Sequence, residues 1–164
     1  MLTAALGRIP SGWNALFIGN GPLEGMLRQW AAPFGDRVKI ATAVTHDQVP
    51  AYLNAMDILC LPSQTTSKWR EQFGRVIIEA FACGVPVIGS DSGEIPYVIG
   101  DNGLTVGEND ESGWVSALSD LLASPERRAE LAARGVDVAR STYAWPIIAR
   151  KHLEFFGEIL DTAV

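Results

Sequence analysis

Histidine and cysteine are scarce in this chain of 164 residues, two of each. Cys60 and Cys83 lie inside apolar runs, "DILCLP" and "AFACGVP", while His46 and His152 stand alone. None of them has metal-ligand spacing, so the sequence shows no metal site. The two cysteines read as buried free thiols of a reducing, cytosolic setting. Positive charge is in deficit too: 13 Lys and Arg against 19 Asp and Glu give a formal charge of −6. A general nucleic-acid binder needs a basic face, so that class is set aside. No apolar run approaches the roughly 20 residues of a membrane span. The opening "MLTAALGRIPSGW" has neither the cationic start nor the long apolar centre of a secretion signal. Internal repeats, low-complexity tracts and interdomain linkers are also missing. The hydrophobic fraction of 48% suits a packed core, and the length suits one domain.

What is present is alternation. Short apolar runs predict strands at 14–19, 37–41, 57–62, 85–90 and 103–106. Helical spacing predicts helices at 23–34, 47–56, 73–83, 111–123, 125–140 and 145–161, with Gly84 as the stop of the third. Strand–helix alternation argues for a parallel sheet with helices on both faces. The strands are unbroken apolar runs, as expected when both faces are covered. In such sheets ligands bind beyond the carboxyl ends of the strands. The loops to inspect are therefore 19–22, 42–46, 62–75 and 89–96. The chain opens in a helical fragment, "LTAALGRIP", where a sheet of this type usually opens with a strand. The expectation is one lobe of a larger protein, without its first strand.

The densest chemistry lies in "EQFGRVIIEAFACGVPVIGSDSGEIP", residues 71–96. Glu71 precedes a helix that Phe73 and Gly74 lead into. Gly74 has no Cβ, so a ligand can come close to the backbone there. The first-turn amides near Gly74, Arg75 and Val76 have no intrahelical partners and point from the positive end of the helix dipole, which suits a phosphate. Arg75 adds charge. Glu79 lies five residues beyond Gly74, roughly 7–8 Å along the axis, about the step from a diphosphate to its ribose. A carboxylate there can accept two hydrogen bonds from a diol. The spacing also fits a plainer reading. Glu71 is then a favourable acid at a helix start, Glu79 a solvated edge residue, and Arg75 its i,i+4 partner.

The longer stretch "EQFGRVIIEAFACGVPVIGSDSGEIPYVIGDNGLTV" resembles the donor-binding lobe of retaining GT-B glycosyltransferases of the family 4 type. That family carries a glutamate, seven residues and a second glutamate, with Phe-Gly after the first and Ala-Gly-x-Pro-Val after the second. Here stand Glu71, Phe73–Gly74, Glu79 and "ACGVPVI". "FIGNGP" (17–22), "AMDILCLPS" (55–63) and "YAWPIIARKHLEFF" (143–156) fall in the family's order, so the resemblance spans almost the whole chain. It implies a doubly wound Rossmann-like parallel sheet of about five strands. Residues 1–164 would be a single nucleotide-sugar-binding domain.

The resemblance further implies a hexosyl transfer from a nucleoside-diphosphate sugar, with retained configuration and no protein nucleophile. Glu71, the candidate catalytic residue, would bind donor-sugar hydroxyls. Gln72 and the Phe73, Gly74 and Arg75 amides would line the donor site around the diphosphate. Glu79 would bind the ribose, and Ala43 and Val44 the base through their backbone. Residues Ser63 to Arg70 would form a mobile loop over the donor. No metal or other cofactor is implied. The setting would be cytoplasmic, peripheral at the inner face of the membrane in a full-length enzyme of bacterial cell-surface polysaccharide synthesis.

Some positions depart from the family. A Gly-Arg followed by Lys-Gly usually supplies diphosphate cations. Gly7–Arg8 is not that motif, and the first lysine is Lys39. Lys68 and Arg70 are the nearest substitutes. Tyr97 replaces a frequent glutamate and Thr42 a usual glycine. The expectation is therefore a fragment inactive alone, whose last helix (145–161) pairs with an absent N-terminal lobe or drives self-association through Trp145, Ile148, Leu153 and Phe156. A stand-alone module that binds a nucleotide sugar without turnover is the alternative, with an epimerase lobe behind it.

Overall fold

The computed structural model describes residues 1–162. Five strands alternate with helices: α1 (Leu2–Arg8), β1 (Ala15–Ile18), α2 (Glu24–Ala31), β2 (Val38–Ala41), α3 (Val49–Leu53), β3 (Leu59–Leu61), α4 (Arg75–Ala82), β4 (Val87–Ser90), α5 (Ile95–Ile99), β5 (Leu104–Val106), α6 (Glu111–Ala123), α7 (Pro125–Val138) and α8 (Trp145–Thr162). Every ladder is parallel. The expected α/β architecture is the one observed.

β4 shows why the apolar runs are continuous. Val87 and Ile88 are adjacent, so they point to opposite faces, and both are fully buried. Ile88 joins one cluster with Ala5 and Leu6 of α1, Trp114 and Leu118 of α6, and Leu131 of α7. Val87 joins the other, with Leu53 of α3, Ile77 and Phe81 of α4, and Ile95 and Ile99 of α5. Helices therefore cover both faces. An aromatic group adds to the first cluster: Trp30 packs against Trp13, Phe17 and Phe34, and the Arg37 guanidinium lies 4.4 Å over the Trp13 ring.

The strands do not form one continuous sheet. β1 pairs with β2, and β4 pairs with β3 and β5, but no ladder joins the two blocks among the described residues.

Several element bounds differ from the sequence reading. The second helix stops at Ala31 and gives way to a 3₁₀ stretch, Ala32–Arg37. Pro33 has no N–H to continue the ladder, and Gly35 sits at φ +55°. The helix expected over 47–56 is a 3₁₀ turn, His46–Gln48, followed by the short α3. The helix expected from Phe73 begins at Arg75, because Gly74 is left-handed at φ +73°. After α7 the chain widens into a π turn, Ala139–Tyr143. α5 was not expected; five residues are too few to show a period. Both cysteines are free but only half-buried as residues, though burial pushes the Cys60 thiol up to about 12.

Candidate functional site

Loop 62–74 links β3 to α4 at the carboxyl edge of the sheet. Its course is set by close packing against the β4–α5 loop. The Ser90 hydroxyl donates to the Ser63 carbonyl at 2.6 Å, and Thr65 Oγ1 meets Ser92 Oγ at 3.0 Å. Both Ser90 and Ser92 are buried. The Glu94 N–H donates to the Glu71 carbonyl at 3.3 Å. A Cβ on Gly93 would stand 1.8 Å from that carbonyl oxygen. Only glycine lets the two loops lie so close.

Further along, the Thr65 N–H donates to the Glu108 carboxylate at 2.5 Å, and the Glu108 N–H donates to Asp91 Oδ1 at 2.7 Å. The loop after β5 thus braces both others. A tight turn closes the tip, where Thr66 N–H donates to the Trp69 carbonyl at 2.7 Å.

These loops surround an open cavity of about 490 Å³, lined by residues 65–72 and Glu94. Glu71 and Gln72 are in its wall, beside Lys68 and Arg70. Lys68 and Arg70 thus line the same cavity as Glu71 without a carboxylate partner among the described residues.

The Glu71 carboxylate folds back on the start of α4. Oε1 accepts from the Gly74 N–H at 3.1 Å and, more weakly, the Phe73 N–H at 3.5 Å. Oε2 accepts from the Ser63 hydroxyl at 3.4 Å. Of the Gly74, Arg75 and Val76 amides that spacing offered to a phosphate, the carboxylate thus takes that of Gly74. The Phe73 ring is anchored edge-on to Tyr143, with centroids 6.2 Å apart, and burial raises the Tyr143 hydroxyl above its ordinary range.

Glu79 and Arg75 are joined across one helical turn, Nε to Oε1 at 3.3 Å, with the arginine side chain 77% exposed and the glutamate 28%. The i,i+4 pairing anticipated on spacing is therefore present, and it is weak at such exposure. The negative Glu79 helps burial raise the Cys83 thiol. Ala43 and Val44 lie in the separate loop after β2 and do not line the cavity. The structure brings Glu71, Gln72, Phe73 and Gly74 together with Lys68 and Arg70, and sets Arg75 and Glu79 one turn along α4.

Sequence reasoning placed Ser63 only in the loop over the donor, and missed Ser90, Ser92, Gly93, Glu94 and Glu108 as members of the site. Their only signal was position at strand ends, since the contacts that unite them span 8 to 44 residues. Arg8, where a cation of the family motif was sought, pairs instead with Glu111 at 3.3 Å.

The family model for glycosyl transferases group 1 matches residues 1–124. The chain belongs to that family. Among curated relatives of this group 1 chain, D-inositol 3-phosphate glycosyltransferase of Salinispora tropica is 34% identical over 136 residues, 80% of the chain and 27% of that protein. A GDP-mannose-dependent monoacylated alpha-(1-6)-phosphatidylinositol monomannoside mannosyltransferase of Corynebacterium glutamicum is 32% identical over 139 residues, 83% of the chain and 36% of that protein. The group 1 chain thus spans about a third of the length of these relatives.

Among solved structures, sucrose-phosphate synthase of Thermosynechococcus elongatus superposes with a TM-score of 0.80 at 27% identity, over 98% of this chain and 42% of that one. HepE of Anabaena, solved with UDP and glucose, superposes at 0.78 and 23% identity, over 96% of this chain and 44% of that one. At that identity the likeness speaks for the fold alone. The resemblance to a GT-B glycosyltransferase lobe thus holds for both family and fold.

Proposed function

We propose that this chain is the donor-binding lobe of a retaining hexosyltransferase that uses a nucleoside-diphosphate sugar. The observation that carries the reading is Glu71, whose carboxylate is held by Ser63 and the Phe73 and Gly74 N–H groups in the wall of a cavity that Lys68 and Arg70 also line. A fixed carboxylate can accept from sugar hydroxyls. Two nearby cations can neutralise a diphosphate. Gln72, Phe73, Gly74 and Arg75 contribute the polar backbone around it, Glu79 takes the ribose diol, and Ala43 and Val44 contact the base.

In this reading the protein supplies position and electrostatic stabilisation of the departing diphosphate rather than a nucleophile. Glu71 holds the Phe73 and Gly74 N–H groups, so a phosphate at the start of α4 takes the Arg75 and Val76 amides and leaves the carboxylate in place. Support comes from the family match and from the two structural relatives above, one of which was solved with UDP and glucose.

Calorimetry with UDP, GDP, UDP-glucose and GDP-mannose tests the assignment. Glu79→Ala should weaken both nucleotides and their sugars by roughly 1–3 kcal/mol, as for lost charge-assisted hydrogen bonds. Glu71→Ala should weaken only the sugar-bearing donors. Equal affinity of all four ligands for wild type and Glu79→Ala would remove Glu79 from the site.

The alternative reading is binding without turnover. A donor-hydrolysis assay separates the two readings.

A further inference from the structure

Trp69 is held in place without being packed. Thr66 grips its backbone at both ends. The Thr66 hydroxyl oxygen accepts from the Trp69 N–H at 3.0 Å, and the Thr66 N–H donates to the Trp69 carbonyl at 2.7 Å. Thr65, the residue before, is tied to Ser92 and Glu108. The segment that carries the indole is thus braced from the neighbouring loops. The side chain is nevertheless 51% exposed and belongs to neither buried cluster.

The other aromatic side chain of this loop behaves differently: Phe73 leans on Tyr143. Among the described residues Trp69 makes no ring contact, and its indole N–H has no acceptor. An indole carries a large apolar face whose burial is stabilising. Here that face is left open on a fixed backbone. Such an arrangement adds nothing to the core, and it is already ordered for a ligand.

The cavity wall supplies the complement. Residues 65–72 and Glu94 line it, and Trp69 is the aromatic one among them. The side chains of Ser67, Gln72 and Glu94 make no hydrogen bond among the described residues. One flat apolar plane is therefore ringed by uncommitted donors and acceptors. A pyranose has the matching chemistry, with C–H bonds on a ring face and hydroxyls around the rim. Its C–H hydrogens, polarised by the oxygens beside them, meet the negative face of the indole. Its hydroxyls meet the polar rim. A nucleobase can stack too, but it has no hydroxyl rim. Ala43 and Val44, read as the base contacts, lie outside this cavity.

We propose that Trp69 is the stacking platform of an acceptor subsite, where the pyranose ring of a neutral glycoside lies beside the donor sugar. The inference rests on the donor-lobe reading, in which Glu71 takes the hydroxyls of the donor sugar. Trp69 stands two residues before Glu71, at most about 7 Å of chain, and further along the loop from the start of α4. The diphosphate enters from α4 and the donor sugar reaches Glu71. The ring over Trp69 is then the next one outward.

The test follows the indole N–H resonances of the full chain by NMR during titration with methyl β-D-glucopyranoside, without nucleotide. The chain has five tryptophans, and the signal missing from Trp69→Phe is that of Trp69. Sorbitol, which has the hydroxyls but no ring, is the control. The subsite predicts a saturable shift of the Trp69 signal with the glucoside and none with sorbitol, while the other four signals stay still. Amide shifts of residues 65–72 then give the affinities of the variants, whose spectra also report folding. Trp69→Phe keeps an aromatic face and should bind within about threefold of wild type, whereas Trp69→Ala should bind about tenfold more weakly.

The titration is repeated with the nucleotide sugar that calorimetry shows to bind. Glucoside and donor should bind together. Displacement by UDP or GDP alone would make Trp69 a base platform, and displacement only by the nucleotide sugar would make it part of the donor site. Either result overturns the proposal, as do equal shifts with sorbitol or full affinity in Trp69→Ala. Failure of the donor reading shows itself elsewhere, as no nucleotide sugar bound in calorimetry. The glucoside titration needs no nucleotide and decides the platform in that case too.

Discussion

Gly93 decides where Glu71 stands. Its α-carbon faces the Glu71 carbonyl so closely that a methyl group would fall within bonding distance, and its φ of +57° is itself a glycine conformation. Gly93→Ala must therefore push loop 62–74 away, strain the backbone, or both. Denaturant titration should show a loss of roughly 1–3 kcal/mol, with loss of donor-sugar binding beyond what the lower stability explains. Gly157→Ala is the control. It lies in α8 with open space around it, so the same substitution should be neutral or slightly stabilising. Cys60 carries a second residue-scale prediction. Desolvation lifts its thiol from 9.0 to about 12. A folded value above the unfolded one means that the unfolded chain ionises first. The contribution is whole below about pH 9 and is lost as pH rises toward 12. Native Cys60 should resist thiol reagents at pH 8 and react fully in denaturant. Rapid labelling of the folded chain at that position would contradict its burial.

Elements explain how much could be read from the residues alone. β4 and the helix before it were legible because local signals agree: an apolar run, a stop at Gly84 with φ +69°, and a 3.6-residue period in "RVIIEAFA". α6 and α7 were legible for the same reason, with Asp110 and Ser124 each accepting from the N–H three residues on. The break between the two ladders was not legible in that way. Which strands pair is decided by packing between distant segments, and the only hint was a helix standing where a strand was due. Glu71 folding onto the Phe73 and Gly74 amides was not legible either, since it needs Gly93 and Ser63 brought in from other loops. The caps give a direct test. Asp110→Ala removes the acceptor for Gly113 N–H at 2.9 Å and should cost about 0.5–2 kcal/mol. Four residues along the same helix, Trp114 buries an indole N–H with no partner among the described residues. Trp114→Phe discards that unsatisfied donor while opening only a small void, so it should cost less than Leu118→Ala, which removes most of a buried side chain. Urea midpoints of the three variants order the effects.

For the molecule as a whole, the unresolved physical problem is α8. The helix starts against the Ala139–Tyr143 turn and then leaves the body of the protein. Leu153 is 72% exposed and Phe156 54% exposed, and Trp145, Phe155 and Leu160 are exposed with them. Exposed apolar side chains gathered along one helix mark an interaction surface, whereas scattered single ones do not. A membrane surface fits it poorly, because Glu154, Glu158 and Asp161 outnumber Arg150 and Lys151 along the helix, whereas interfacial helices are rich in Lys and Arg. A protein partner fits better, and at high concentration the partner available to the isolated chain is another copy of itself. Sedimentation should therefore show association that strengthens with concentration. Leu153→Glu with Phe156→Glu places two charges on the stripe and should return the chain to a monomer. Its melting temperature at low concentration should not move, since those side chains touch little of the core. If wild type and double variant sediment alike as monomers throughout, the apolar stripe does not drive association. If the variant melts well below wild type at low concentration, α8 is part of the fold's own packing.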